Sequence, residues 1–276
     1  MPNVRVHPGT PDEVELAYEA AGSGHPVILV HGWPFTSRFW DGQMRTLTDA
    51  GYRAIRYDRR GTGKSAHPWS GYDAETLAGD LLAFLDHLDV GPVAAVAFGS
   101  AAAETARAAV RAPERFARLV LAGTVVACAD SARIRDLATA ARRHRIAMLD
   151  DLIGRCFSVD GERVLDEPTL RHLVHDAAAA SAQSTLDALA SWSAADFLAD
   201  LGRVALPVLV VHGAADAFMP YAVSGARAVA AARAATSVVI DHAPHAMPLT
   251  HQHEFDTAVL DFLSGPTASG AASGTA

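Results

Sequence analysis

The feature that most constrains this chain is a set of short, unbroken apolar runs, each stopping at a turn. Pro26–Val30, Val93–Phe98, Phe116–Leu121 and Pro207–Val211 are the main ones. A strand exposed on one face alternates polar with apolar residues. Unbroken runs fit strands covered on both faces, as in a parallel sheet. Tyr52–Tyr57 reads as a further strand, and the alternating Val14–Tyr18 suits an edge strand. Helical spacing fills the gaps. Ala74–Leu88 places Leu77, Leu81, Leu82, Phe84, Leu85 and Leu88 on one broad face. Arg38–Ala50 has the same period, and a helix from Ala101 to Arg111 stops before Pro113. Strands alternating with helices imply an α/β fold, a mostly parallel sheet with helices on both faces.

The alternation breaks between Ser131 and Leu201, where long helical stretches follow one another with no convincing strand. The simplest organisation is a core of residues 1–128 and 203–264 with an inserted helical cap, 129–202. Strand alternation resumes at Pro207, followed by a helix over Tyr221–Ala235, a last strand over Ser237–Ile240 and a closing helix over Glu254–Leu263. Residues 265–276 are Gly, Ala, Ser, Thr and one Pro, and read as a disordered tail.

The formal net charge is -8, which speaks against a nucleic-acid or anionic-membrane partner; the partner expected is a small-molecule substrate. The two cysteines, Cys128 and Cys156, are too few for a disulfide framework. No apolar leader is visible, and no apolar run approaches the roughly 20 residues of a membrane helix. The expected setting is the cytoplasm. The oligomeric state is not legible.

In an open parallel sheet, ligands gather outside the carboxyl ends of the strands. Gly32-Trp33 follows one strand, Gly99-Ser100 another, Asp216 a third and His245 the last. An aspartate accepting a bond from a histidine Nδ1–H fixes the ring tautomer, so that Nε2 can take a proton. Around these residues stand His31-Gly32-Trp33-Pro34, Gly51-Tyr52-Arg53, Tyr57-Asp58-Arg59-Arg60-Gly61-Thr62-Gly63-Lys64-Ser65 and Gly71-Tyr72-Asp73. Further along come Trp192 to Leu201, Val211-His212-Gly213-Ala214-Ala215-Asp216 and Ala243-Pro244-His245. Together they resemble the cofactor-free haloperoxidase, perhydrolase and esterase branch of the α/β-hydrolases, from about Gly22 to Leu263.

The resemblance implies that Asp216 and His245 are the acid and histidine of a catalytic triad, in the usual chain order. It implies an oxyanion hole made of the Trp33 and Ser100 backbone N–H groups. The nucleophile elbow, G-x-S-x-G, falls on Val93 to Glu104, and there the family's serine lands on Gly99. Glycine offers nothing to attack a carbonyl, so an acyl-enzyme at this position is impossible. Ser100 is a poor substitute, because one residue further round a tight turn its side chain points elsewhere. Ala102-Ala103 also stands where the family more often has glycine.

Phe98, Phe157, Trp192 and Phe218 are candidate pocket residues; Met148, Leu149 and Phe197 suit a pocket wall or plain packing equally. Neither cofactor nor metal is expected. Gly61-Thr62-Gly63-Lys64-Ser65 lacks the first glycine of a phosphate loop, since Asp58 stands there, and His251-Gln252-His253 has no supporting ligand cluster. Three functional readings fit. The first is an enzyme using the His245–Asp216 dyad for non-covalent proton transfer, elimination, cyclisation or water addition on a small, largely apolar carbonyl compound. The second is a serine esterase or perhydrolase captured as a nucleophile-to-glycine variant. The third is a binding protein that has lost its chemistry.

Overall fold

The computed structural model describes residues 1–125, 131–194 and 197–265. Its strands are β1 (Asn3–Val6), β2 (Val14–Ala21), β3 (Pro26–Val30), β4 (Arg53–Tyr57), β5 (Val93–Phe98), β6 (Phe116–Ala122), β7 (Ser158–Val159), β8 (Glu162–Arg163), β9 (Val208–Gly213) and β10 (Ala235–Ile240). Its α-helices are α1 (Asp41–Asp49), α2 (Ala74–His87), α3 (Ala101–Arg111), α4 (Ser131–Cys156), α5 (Glu167–Ala178), α6 (Ala182–Ala194), α7 (Phe197–Arg203), α8 (Gly225–Ala231), α9 (Met247–Thr250) and α10 (Gln252–Ser264). Eight strands form one sheet in the order β1-β2-β4-β3-β5-β6-β9-β10. β1 and β2 pair antiparallel, as do β2 and β4; every other pairing in this sheet is parallel.

The unbroken apolar runs have a direct physical origin. Successive side chains of a strand point to opposite faces, and here both faces are covered. Val27, Leu29, Val96, Phe98, Val120 and Val211 belong to a core shared with α1, α4 and α10. Ile28, Val30, Ala95, Ala97, Leu121 and Val210 belong to the opposite core, shared with α2, α3 and α8. The alanines of β5 sit under the alanine-rich α3, and small side chains on both sides let helix and strand approach closely. α2 starts where Asp73 accepts bonds from the Glu75 and Thr76 N–H groups, two donors the first helical turn leaves unpaired.

Four details depart from the sequence reading. Val14–Tyr18 lies within β2, an interior strand, and the edge is the short β1, whose four residues carry too little pattern to announce themselves. The strand-free segment holds the β7–β8 hairpin, with two residues in each strand. The helix expected over Tyr221–Ala235 is a single turn at Tyr221–Val223, then α8, with β10 already begun at Ala235. α4 is broken at His144, whose backbone is non-helical. α7 packs on α3, and its Phe197 and Leu201 join the core on that side, so Phe197 is packing as much as pocket wall. The boundary expected at 128/129, Cys128 and residues 266–276 of the tail lie outside the described residues.

A buried ion pair fastens α2 to the sheet. Arg60 donates to Asp80 at 2.5 and 2.6 Å, both side chains are about fully buried, and His7 at the end of β1 meets Asp80 at 3.1 Å. Removing one partner strands a charge away from water. Asp80→Ala is therefore expected to lower folding stability by about 3 kcal/mol or more. Replacing Arg60 and Asp80 together with Met and Leu should cost less. Urea unfolding of the three proteins checks this, and a harmless Asp80→Ala would contradict it.

Candidate active site

β5 ends at Phe98, and the chain reverses through Gly99 into α3. Gly99 has φ +57° and donates its N–H to Ala122 O at 2.9 Å, which pins the turn to the neighbouring β6. Glycine holds this left-handed conformation at low cost. The loop after β3 lies against the turn. A Cβ at Gly32 would stand 2.5 Å from Phe98 O, so only glycine lets this loop come so near. Trp33 is carried beside Ser100 as a result. Asp216 follows β9 and His245 follows β10, so the parallel sheet gathers all four segments at one end.

Asp216 is the electrostatic centre. Its Oδ2 accepts from His245 Nδ1 at 2.7 Å and stands 3.1 Å from His212 Nε2; its Oδ1 accepts from the Met219 amide at 2.7 Å. Burial alone works to raise this carboxyl, but the His245 charge and the bonds from His212, His245 and Met219 outweigh it. They hold Asp216 well below the usual carboxylate range. His212 Nε2 also contacts Met219 O at 2.7 Å, which fixes a proton on that nitrogen, because a carbonyl can only accept. His212 was visible in sequence only as a neighbour of Asp216. The structure gives it a part, a second donor steadying the carboxylate.

With Nδ1 committed to Asp216, His245 presents Nε2 to Gly99. A Cβ built at Gly99 would lie 3.9 Å from that nitrogen. Phe98 and Phe218 flank the imidazole, with ring centroids 5.1 and 4.9 Å away.

The two backbone donors expected for an oxyanion hole stand differently. The Trp33 N–H is already engaged, donating to Ser100 Oγ at 3.0 Å. Ser100 precedes α3 but makes no side-chain cap, its hydroxyl being turned to Trp33 instead. The Ser100 N–H has no hydrogen-bond acceptor among the described residues. Ser100 Oγ makes no bond to His245, so the hydroxyl is not prepared as a nucleophile.

The four pocket candidates separate. Trp192 stands edge-on to Trp33, 5.2 Å between centroids, and with Ser100 and Val125 lines a cavity of about 40 Å³. Phe218 borders a larger one of about 640 Å³ under α4. Gly99 and His245 line neither, and Phe218 is the wall between His245 and the larger space. Phe98 and Phe157 are core, each packed against Phe35.

Charges are also buried behind the elbow. Arg59 donates to Glu104 at 2.6 Å, with both side chains almost wholly enclosed. Burial pushes the Glu104 carboxyl up to about 7 despite the attraction of Arg59. His31 is held neutral, lowered to about 3 by burial and by Arg59, and its Nε2 accepts the Arg59 N–H at 3.1 Å. It braces the loop after β4.

Residues 25–252 match the family model described as alpha/beta hydrolase fold. A protein of Synechocystis provisionally named a non-heme chloroperoxidase is 33% identical, over 95% of this chain and 100% of its own. An esterase/perhydrolase of Acinetobacter calcoaceticus is 27% identical, over 92% of this chain and 98% of its own. A bromoperoxidase structure from Bacillus anthracis superposes with TM-score 0.90 at 34% identity, covering 96% of this chain and 100% of the other. These relatives are named as enzymes, and their names differ in reaction class.

Glu104 makes a pH-dependent contribution to stability. Its carboxyl holds a proton more tightly folded than unfolded, so the contribution is whole below about pH 4.5 and is lost as pH rises through about 7. Relative to Glu104→Gln, the natural protein should lose stability across that window. Urea unfolding at stepped pH reads the difference, and a constant offset would refute the assignment.

Proposed function

The chain belongs to the α/β-hydrolase fold family, and from that premise we propose that it is an enzyme working without a serine nucleophile. His245, oriented by Asp216, takes and returns protons through Nε2. The Ser100 amide receives the carbonyl oxygen, joined by the Trp33 amide once that oxygen displaces the Ser100 hydroxyl. Such donors lower the energy of a developing oxyanion or enolate by about 3 kcal/mol each. The substrate is a small, largely apolar carbonyl compound, in keeping with the aromatic side chains around the site. The reaction is proton transfer, elimination, ring closure or water addition. Helices α4 to α6 act as the cap above it. No cofactor or metal is invoked, and the setting is cytoplasmic.

One observation carries this reading. The 2.7 Å bond from His245 Nδ1 to Asp216 leaves a directed base facing a residue with no attacking group. A second reading has its own support. A Cβ at position 99 would stand 3.9 Å from Nε2, within reach of a serine oxygen, as expected if Gly99 replaces a working nucleophile. Gly99→Ser with short aryl esters separates the two. A burst and an acyl adduct would favour the replaced serine, and an intact but inert variant would favour the non-covalent enzyme.

Asp216→Asn should reduce turnover by about 10³-fold or more, through the wrong ring tautomer, and His245→Ala should remove it. The measurement is product formation by mass spectrometry across a panel of aryl esters, lactones and ketones. Turnover indifferent to both substitutions would end the proposal.

A further inference from the structure

We infer that the space beside Gly99 is a binding site for one small protic nucleophile, water or a short alcohol, which His245 deprotonates for direct attack on a carbonyl carbon. This rests on the non-covalent reading above and names its second substrate.

The geometry is specific. Leaving aside the chain neighbours of Gly99, His245 Nε2 at 3.9 Å is the sole heavy atom of the described residues within 4 Å of a Cβ built there. An oxygen in that space is therefore in hydrogen-bond reach of Nε2. The nitrogen is available, because Nδ1 carries the proton shared with Asp216 and Nε2 bonds to no protein group among the described residues. The surroundings of Nε2 are largely apolar. Phe98 and Phe218 stand on the imidazole at 5.1 and 4.9 Å. Gly123 closes another side, where even a Cβ would come within 3.1 Å of Phe98 Cε2 and His245 O. The neighbouring Ser100 hydroxyl makes no bond to His245 and stands at the Trp33 amide. The site is thus polar at one point and apolar around it, and it lies where a side chain at position 99 would stand.

The chemistry balances without further reagents. The alcohol or water oxygen forms a bond to the carbonyl carbon as its proton passes to Nε2. The carbonyl electron pair moves onto oxygen, where the Ser100 N–H receives it. The tetrahedral adduct then breaks the bond to the leaving oxygen, which takes the proton back from Nε2. An ester and H–OR become a new ester, or the acid when R is hydrogen, plus the released alcohol. Protein and substrate are never covalently joined.

The test uses the full chain with 4-nitrophenyl acetate and rising methanol, measuring acetate and methyl acetate. The expected result is methyl ester in growing proportion, above that of the uncatalysed reaction. The proportion should fall about tenfold from methanol to 2-propanol as the site excludes branching. Mass spectrometry during turnover should show no acetylated protein. Gly99→Ala, which puts a methyl group in the space, should reduce methyl ester formation about tenfold. Its positive φ makes folding a separate question, so its melting curve is recorded and the alcohol series on the natural chain stands by itself. Turnover that needs His245 yet ignores the alcohol, or an acetyl group on Ser100 or elsewhere, overturns the site alone. No His245-dependent turnover of the ester overturns the site, and the proposed function falls with it when the lactones and ketones of the panel are untouched as well.

Discussion

Asp216 is a buried carboxylate whose ionisation is made tolerable by three donors, the His245 and His212 rings and the Met219 amide. Each comes from a different part of the last third of the chain. Meeting the demands of this one charge fixes the loop after β9, the tautomer of His212 and the plane of His245. An unpaired carboxylate there would neutralise itself or disrupt its surroundings. The direction of Nε2, on which any proton transfer at the site depends, follows from that arrangement.

Gly99 and Ser100 show how two adjacent residues divide the work of a tight turn. Gly99 absorbs the left-handed backbone and keeps its N–H on β6. Ser100 gives up the usual capping role and spends its hydroxyl on the loop after β3. That bond ties two of the strand ends together. It also fills the Trp33 donor with an internal acceptor, which an incoming oxygen has to displace.

The sheet was legible because burial on both faces writes itself into sequence as unbroken apolar runs. Asp216 was legible because it follows such a run; His245 follows β10, whose residues are mostly exposed, and was legible through the family resemblance. β1, β7 and β8 were not, since two to four residues carry no usable period. The break at His144 was hidden for a similar reason: the apolar spacing continues through it, and the backbone alone departs. The engagement of the Trp33 amide was out of reach as well. Backbone donors look alike in sequence, and their occupancy depends on which hydroxyl the fold brings near. The same holds for His212, whose contacts with Asp216 and Met219 appear only when the loop after β9 folds back on the strand.

The site is collected from the ends of β3, β5, β9 and β10, and this has a consequence for how the protein is made. Asp216 and His245 share the last third of the chain, but Trp33 and Gly99 come from far upstream. Trp33 emerges early in synthesis and waits through most of the chain for His245. Contacts so distant in sequence form late, after loop-closure entropy has been met. Until then the apolar strands that frame the site have exposed faces, and a folding helper would find its targets there. Activity, once present, reports that the whole sheet has closed.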